Sequence, residues 1–267
     1  MNARTSPQPA DENPAPRAYL GFDRNTYPGD DALPILRKTY AYSGYWLSPP
    51  PQEKINTWSG KRQLMQSHGF GFLVLYRGRD SRELKSLGLA AQKSAQDATA
   101  AVANAEKEGF PKATVIFIDI EEGGRLPATY HAYLAAFVDE ITKAGYRAGV
   151  YCSGVPNSEG NGVTITTSDD IRHNIGAREL VYWIFNDVCP PALGCVSSKN
   201  PPPVSAGGIP YAAVWQFAQS PRTKQRTARC AKTYAPDGNC YAPGDTKHAW
   251  FLDLNTATSA NPSAPPK

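Results

Sequence analysis

Thr114-Val115-Ile116-Phe117-Ile118-Asp119-Ile120-Glu121-Glu122-Gly123-Gly124 is the stretch that decides how this chain folds. From Val115 to Ile118 every side chain is apolar and either β-branched or aromatic, so a strand built from it buries both faces. Such a strand belongs in a parallel sheet covered on two sides, since an antiparallel strand with one wet face would alternate. The run then turns acidic and ends in two glycines, which marks a strand passing into a loop. Before it, an Ala-rich stretch closes at Gly109-Phe110-Pro111; after it, Tyr130, Tyr133, Phe137, Ile141 and Ala144 recur at helical spacing between Pro127 and Gly145. A buried strand flanked by two helices is the repeating unit of an α/β fold.

Segments of the same kind recur at 19–23, 39–47, 71–77, 147–152, 180–186, 212–218 and 250–254, which with 114–121 makes eight strands. Helical patterns fill the first five intervals, at 31–38, 52–67, 81–108, 127–145 and 168–177. Beyond the sixth strand they cease, and 187–211 and 219–249 are long and rich in Pro and Gly. The expected fold is therefore α/β, an incomplete TIM-like (β/α) barrel of eight strands with helices mainly after the first five, and with room for an antiparallel strand among the last three. An open doubly wound sheet fits less well. No GxGxxG follows the first strand, and Gly69-Phe70-Gly71-Phe72 lacks the third glycine and precedes a strand. The composition of 1–17 and 256–267 reads as disordered tails around one domain at 18–255.

Hydrophobic residues make up 41% of the 267 positions, enough to bury a core, and no apolar run is long enough to span a membrane. No charged-then-apolar leader opens the sequence. The net charge of +4 is too mild and scattered to indicate nucleic acid, although Arg222, Lys224, Arg226, Arg229 and Lys232 concentrate charge in one loop. That run reads as a solvated loop, or more sharply as an attraction for an anionic polymer. Four of the five cysteines form close pairs in the long loops, so bridges are expected between Cys189 and Cys195 and between Cys230 and Cys240. Each would stabilise its loop by roughly 2 to 3 kcal/mol and would favour an oxidising, extracytoplasmic compartment. The fifth, Cys152, reads as a small buried side chain. Cysteine spacing and the four scattered histidines support neither a metal site nor a cofactor.

The chemistry is expected at Asp119 and Glu121. Strand side chains alternate, so the two share a face with backbones about 6.6 Å apart. At an effective dielectric of about 20 two such charges repel by about 2.5 kcal/mol, enough to help keep one carboxyl protonated near neutrality. Glycoside cleavage needs that pairing: an acid to protonate the leaving oxygen and a carboxylate to stabilise the charge developing on the sugar. An acidic pair at a strand end can also simply bond neighbouring loops. What favours chemistry is that Asp23, Tyr45, Tyr76, Tyr151, Asn186, Gln216 and Asp253 fall at the same ends of the other strands, where barrel active sites lie. Together they describe an acidic, aromatic-lined cleft for sugars.

The combination Gly21-Phe22-Asp23, Asp119-Ile120-Glu121, Gly149-Val150-Tyr151, Trp215-Gln216-Phe217 and Leu252-Asp253-Leu254-Asn255 resembles glycoside hydrolase family 25, lysozymes with an eight-stranded barrel and few helices. The chain is closer still to a divergent glycoside-hydrolase-like domain of secreted bacterial proteins. It shares with that domain Gly21-Phe22-Asp23-Arg24, Tyr45-Trp46-Leu47, Asp97-Ala98 and Gly109-Phe110-Pro111-Lys112 ahead of the acidic strand. The resemblance spans about 18–255. It implies a secreted or cell-wall-associated muramidase-like enzyme acting on the β-1,4 bonds of peptidoglycan, with Glu121 as general acid, Asp119 as stabiliser of the intermediate, and Asp23 and Asp253 shaping the sugar subsite.

Two stretches depart from the lysozyme pattern: Asp23 continues into Arg24-Asn25-Thr26-Tyr27, and the second strand runs Tyr45-Trp46-Leu47-Ser48-Pro49-Pro50. They point to a second reading, a wall-polysaccharide-binding barrel with little activity. A third reading, an exported muramidase toxin, would bring an immunity protein as partner.

Overall fold

The computed structural model describes residues 17–186, 201–219 and 252–266. Strands β1 (Tyr19–Asp23), β2 (Tyr42–Trp46), β3 (Gly71–Arg77), β4 (Val115–Asp119) and β5 (Arg147–Ser153) pair in sequence order, all parallel. A separate hairpin follows, β6 (Asn157–Gly160) and β7 (Val163–Ile165). The barrel resumes with β8 (Val181–Phe185) and β9 (Ala212–Ala218), again parallel, and is closed by β10 (Asp253–Ala257), antiparallel to both β9 and β1. The antiparallel last strand has a functional consequence. Its first residue, Asp253, lies at the barrel end where the other strands finish, directly opposite Asp23.

The helices follow the first five barrel strands as expected: α1 (Leu33–Leu36), α2 (Arg62–Ser67), α3 (Leu87–Lys107), α4 (Ala128–Lys143) and α5 (Thr167–Asn174). Helix α3 starts at the Ser86 cap, whose side chain accepts from the Leu89 N–H, and buries a stripe of small residues, Ala90, Ser94, Ala98, Ala101 and Ala105. That stripe allows close packing against α4, which buries Tyr130, Tyr133, Phe137 and Ile141 on one face. Removing the fully buried Phe137 ring would cost about 3–5 kcal/mol.

Three expectations change. The helix at 52–67 begins only at Arg62, because Gln52 and Gly60 take positive φ angles of 67° and 79° and break the run after the proline-rich loop. The last strand is 253–257 rather than 250–254. The boundary of a tail at 256 does not hold either, since Thr256 and Ala257 complete β10 and the following residues pack beneath the barrel. Ser263 wedges between β3 and β4: its N–H donates to the Phe72 carbonyl, its carbonyl accepts from Val115, and its hydroxyl accepts from the Val74 N–H, at 2.9 Å each. Asn261 Oδ1 accepts from the Phe72 N–H at 2.8 Å. These polar side chains resemble a disordered tail in composition, yet here they supply partners for strand-end backbone groups. Gly71 permits it, because a Cβ there would sit 2.0 Å from the Ala260 carbonyl oxygen.

The two expected cystine bridges, the basic run at 222–232 and residues 1–16 lie outside the described residues. Cys152 is a buried free thiol. Among the described residues no helix is long and apolar enough to cross a membrane, and no group of three or more His, Cys, Asp or Glu is placed to hold a metal ion.

Candidate active site

Residues paired across a barrel ladder share a face, so the register identifies what points inward at the mouth. Arg77 pairs with Asp119, Asp119 with Tyr151, Tyr151 with Trp183, and Asp23 with Asp253. Further round, Gln216 pairs with Asn255, and Asn255 with Gly21.

Beneath the mouth lies a buried hydrogen-bond network centred on Asp23. The Tyr151 hydroxyl donates to Gln216 Oε1 at 2.9 Å, and Gln216 Nε2 donates to Asp23 Oδ2 at 2.9 Å. On the other side the Trp183 indole donates to Asn255 Oδ1 at 2.8 Å, and Asn255 Nδ2 donates to Asp23 Oδ2 at 2.7 Å. An indole N–H can only donate, which orients the Asn255 amide with its NH2 group toward the carboxylate. For Gln216 the orienting group is the Asp23 carboxylate, which can only accept and so takes the NH2 group, leaving Oε1 to accept from the Tyr151 hydroxyl. Burial, followed by the negative charges of Asp23, Glu121, Asp119 and Asp253, pushes the Tyr151 phenol well above its usual pKa, so it remains a donor. Four carboxylates thus surround one protonated phenol.

Above this floor is a cleft of about 550 Å³ lined by Asp119, Glu121, Glu122 and Asp253 and by the arginines 24, 77, 79 and 82. Asp119 is 4% exposed at the end of β4, whereas Glu121 is exposed just beyond it. The strand geometry persists past Asp119, since the Ile120 N–H still donates to the Tyr151 carbonyl at 2.9 Å. Two carboxylates one residue apart therefore occupy different environments, one dry and one wet, the condition for dividing acid and base roles between them.

The loop after β3 is held against this site. Gly78 N–H donates to the Asp119 carbonyl at 3.1 Å, and Glu122 Oε1 accepts from the Ser81 N–H at 2.5 Å. A Cβ at Gly78 would meet the Asp119 carbonyl at 2.0 Å, so only glycine allows this approach. Arg79 is gripped by the buried Asp97 of α3 at 2.6 and 2.7 Å, and Tyr133 also donates to Asp97 at 2.8 Å. Arg24, on the opposite side, is largely desolvated; burial lowers its pKa and the charge of Asp253 acts against that shift. Beyond the cleft, Arg125 ties the loop after β4 to the hairpin through Glu159 at 2.7 and 2.9 Å.

Of the residues expected at the site, Asp119, Glu121 and Asp253 line the cleft, and Asp23, Tyr151 and Gln216 form its floor network. The other three are elsewhere. Tyr45 faces outward, donating to Glu108 Oε2 at 2.5 Å among Trp58, Phe72 and Phe110. Tyr76 also faces outward, toward Asp97 and Phe137. Both strands are buried along almost their whole length, so no polar–apolar alternation reveals which parity points inward. Asn186 follows β8 and donates to the Gly207 carbonyl at 3.2 Å, pinning a loop. Sequence reasoning missed Asn255, Trp183 and Arg77. Asn255 was reachable, because it stands two residues from Asp253 and so on the same face; the other two carried no such signal.

The family model described as Rv2525c-like, glycoside hydrolase-like domain matches residues 37–175, just over half of the chain. The match includes Arg77, Asp119, Glu121 and Tyr151 and stops short of Gln216, Asp253 and Asn255. Among solved structures, an uncharacterized B. stearothermophilus protein aligns at 17% identity over 90% of this chain and 95% of its own, with a TM-score of 0.52. The Tat-secreted protein Rv2525c of Mycobacterium tuberculosis, solved with L-tartrate, aligns at 15% identity over 90% and 95%, with a TM-score of 0.51. GHIP, a glycosyl hydrolase 25 of Streptococcus pneumoniae, aligns at 13% identity over 89% and 86%, with a TM-score of 0.50. At these identities the likeness is one of fold. No curated protein matches the sequence significantly. With its barrel, its acidic cleft and a family match across the acidic strand, this chain belongs to the Rv2525c-like, glycoside hydrolase-like domain family.

Proposed function

We propose that this chain is an extracytoplasmic glycoside hydrolase that cleaves β-1,4 bonds of bacterial cell-wall peptidoglycan. The observation that carries the reading is that Asp119 and Glu121, one buried and one exposed, line the same cleft. In the roles that the family resemblance implies, Glu121 acts as general acid and protonates the leaving glycosidic oxygen. Asp119 stabilises the positive charge that develops at the sugar. Asp23 and Asp253 shape the sugar subsite, Asp23 being held by Gln216 and Asn255. A cleft of about 550 Å³ is within the range that holds a ligand of a few sugar rings.

Digestion of purified peptidoglycan with the wild type, Glu121→Gln and Asp119→Asn, read as release of reducing-end sugars, tests the proposal. Loss of a general acid is expected to slow release by about 10²–10⁴-fold. Equal release by wild type and Glu121→Gln removes Glu121 from the mechanism.

A second reading, a glycan-binding barrel that does not cleave, is favoured by one observation: Arg24 stands in the cleft wall near the acids, desolvated and facing Asp253. Retained binding of peptidoglycan by the wild type, with no sugar released under any condition, would select it.

A further inference from the structure

The cleft is lined by four arginines, and three of them answer to carboxylates of the protein. Arg79 is bound by Asp97 and Glu83, Arg82 is bound by Asp80, and Arg24 feels the charge of Asp253. Arg77 differs. It is exposed, it lines the cleft, and among the described residues no carboxylate lies within 4.0 Å of its guanidinium. Its backbone is fixed by the N–H donating to Ser48 Oγ at 2.9 Å, and its Cα sits beside that of Asp119 in the ladder. The position is therefore rigid while the charged end is unmatched.

A guanidinium placed this way offers a planar donor fork to an oxyanion, which it can bind through two parallel hydrogen bonds. The acidic residues that line the cleft, Asp119, Glu121, Glu122 and Asp253, belong to its β4 and β10 sides.

We infer that Arg77 makes this cleft selective for glycans carrying an oxyanion, a carboxylate or a phosphate, on the sugar that lies over β3. The inference rests on the glycan reading of the cleft and adds a substrate class and a specificity-determining residue to it.

The test is direct binding by calorimetry, which does not depend on cleavage. The probes are a neutral N-acetylglucosamine oligosaccharide, an oligosaccharide of the same length with alternating N-acetylmuramic acid bearing free carboxylates, and a glycerol-phosphate oligomer. The wild type is expected to prefer an anionic probe over the neutral one by about tenfold at low salt, with the preference shrinking as salt is raised. Arg77→Gln is expected to abolish the preference by weakening the anionic probe about tenfold and the neutral sugar by less, and Arg77→Lys to keep part of it, since it retains the charge but not the fork. The arm that shows the preference identifies the oxyanion as carboxylate or phosphate. A preference that survives in Arg77→Gln overturns the inference, as does wild-type binding that ignores charge; in both cases the glycan reading stands. Failure of every probe to bind overturns both. Because Arg77 is exposed, loss of fold is not expected in either variant, and a melting curve for each confirms it.

Discussion

Replacing Asn255 by alanine breaks the bridge between Trp183 and Asp23, and its cost can be worked from the structure. The Asn255 side chain is buried, accepts from the indole at 2.8 Å and donates to the Asp23 carboxylate at 2.7 Å. The truncation leaves a buried indole N–H without its acceptor, at about 1–3 kcal/mol, and removes a hydrogen bond to a charged group, at about 1.5–3 kcal/mol. A total of about 3–5 kcal/mol is a large share of the 5–15 kcal/mol typical of a folded domain. At about 2–4 °C per kcal/mol for a domain of this size, the melting midpoint falls by about 6–20 °C. Thermal melts and urea titration measure it. Trp183→Phe removes the same indole bond, so the double variant should lose about 0.5–3 kcal/mol less than the sum of the two single losses. Strict additivity, or a loss below about 1 kcal/mol for Asn255→Ala, refutes the bridge.

Other outcomes follow from the same geometry. Tyr45→Phe and Tyr76→Phe should leave glycan turnover unchanged while lowering stability by about 1 kcal/mol each, because both hydroxyls bond outside the barrel, to Glu108 and Asp97; a tenfold drop in turnover would return them to the site. Gly71→Val should expose residues 258–266 to protease, since a side chain there collides with the Ala260 carbonyl; unchanged protection would show that the segment packs otherwise. Burial, with the charge of Asp97, raises the Tyr76 phenol from 10.0 to about 12, and burial first of all raises those of Tyr42, Tyr130 and Tyr151 well above the usual range. The unfolded chain therefore releases these protons first. Stability is fully present below about pH 10 and is lost as pH rises toward 12 and beyond, so the urea midpoint should fall over that window together with phenolate absorbance. A midpoint that stays level there contradicts the burial.

The barrel was legible because strands such as β3 and β4 are short apolar runs and the intervals after the first five strands each contain a helix, whereas β10, Asp253-Leu254-Asn255-Thr256-Ala257, carries no apolar run and was placed three residues early. The hairpin of β6 and β7 was not legible, since Asn157-Ser158-Glu159-Gly160 is polar and exposed and carries no strand signal of its own. Within the site, Asp119 and Glu121 could be paired from alternation alone, a rule internal to one strand. Tyr45 and Tyr76 could not be assigned a side, because strands buried on both faces offer no polar–apolar contrast.

From the order of its residues alone, this protein has a parallel, helix-covered barrel and an acidic pair at the end of its fourth strand, because local periodicity and strand alternation depend only on neighbours in the chain. Only the folded molecule decided that β10 runs antiparallel, which brings Asp253 opposite Asp23 and Asn255 between Trp183 and Asp23. It also decided that the polar segment around Ser263 fills the gap between β3 and β4. Those partners are separated by 72 to 232 positions in sequence, and which distant groups meet is set by barrel closure and by the requirement that buried polar groups find partners.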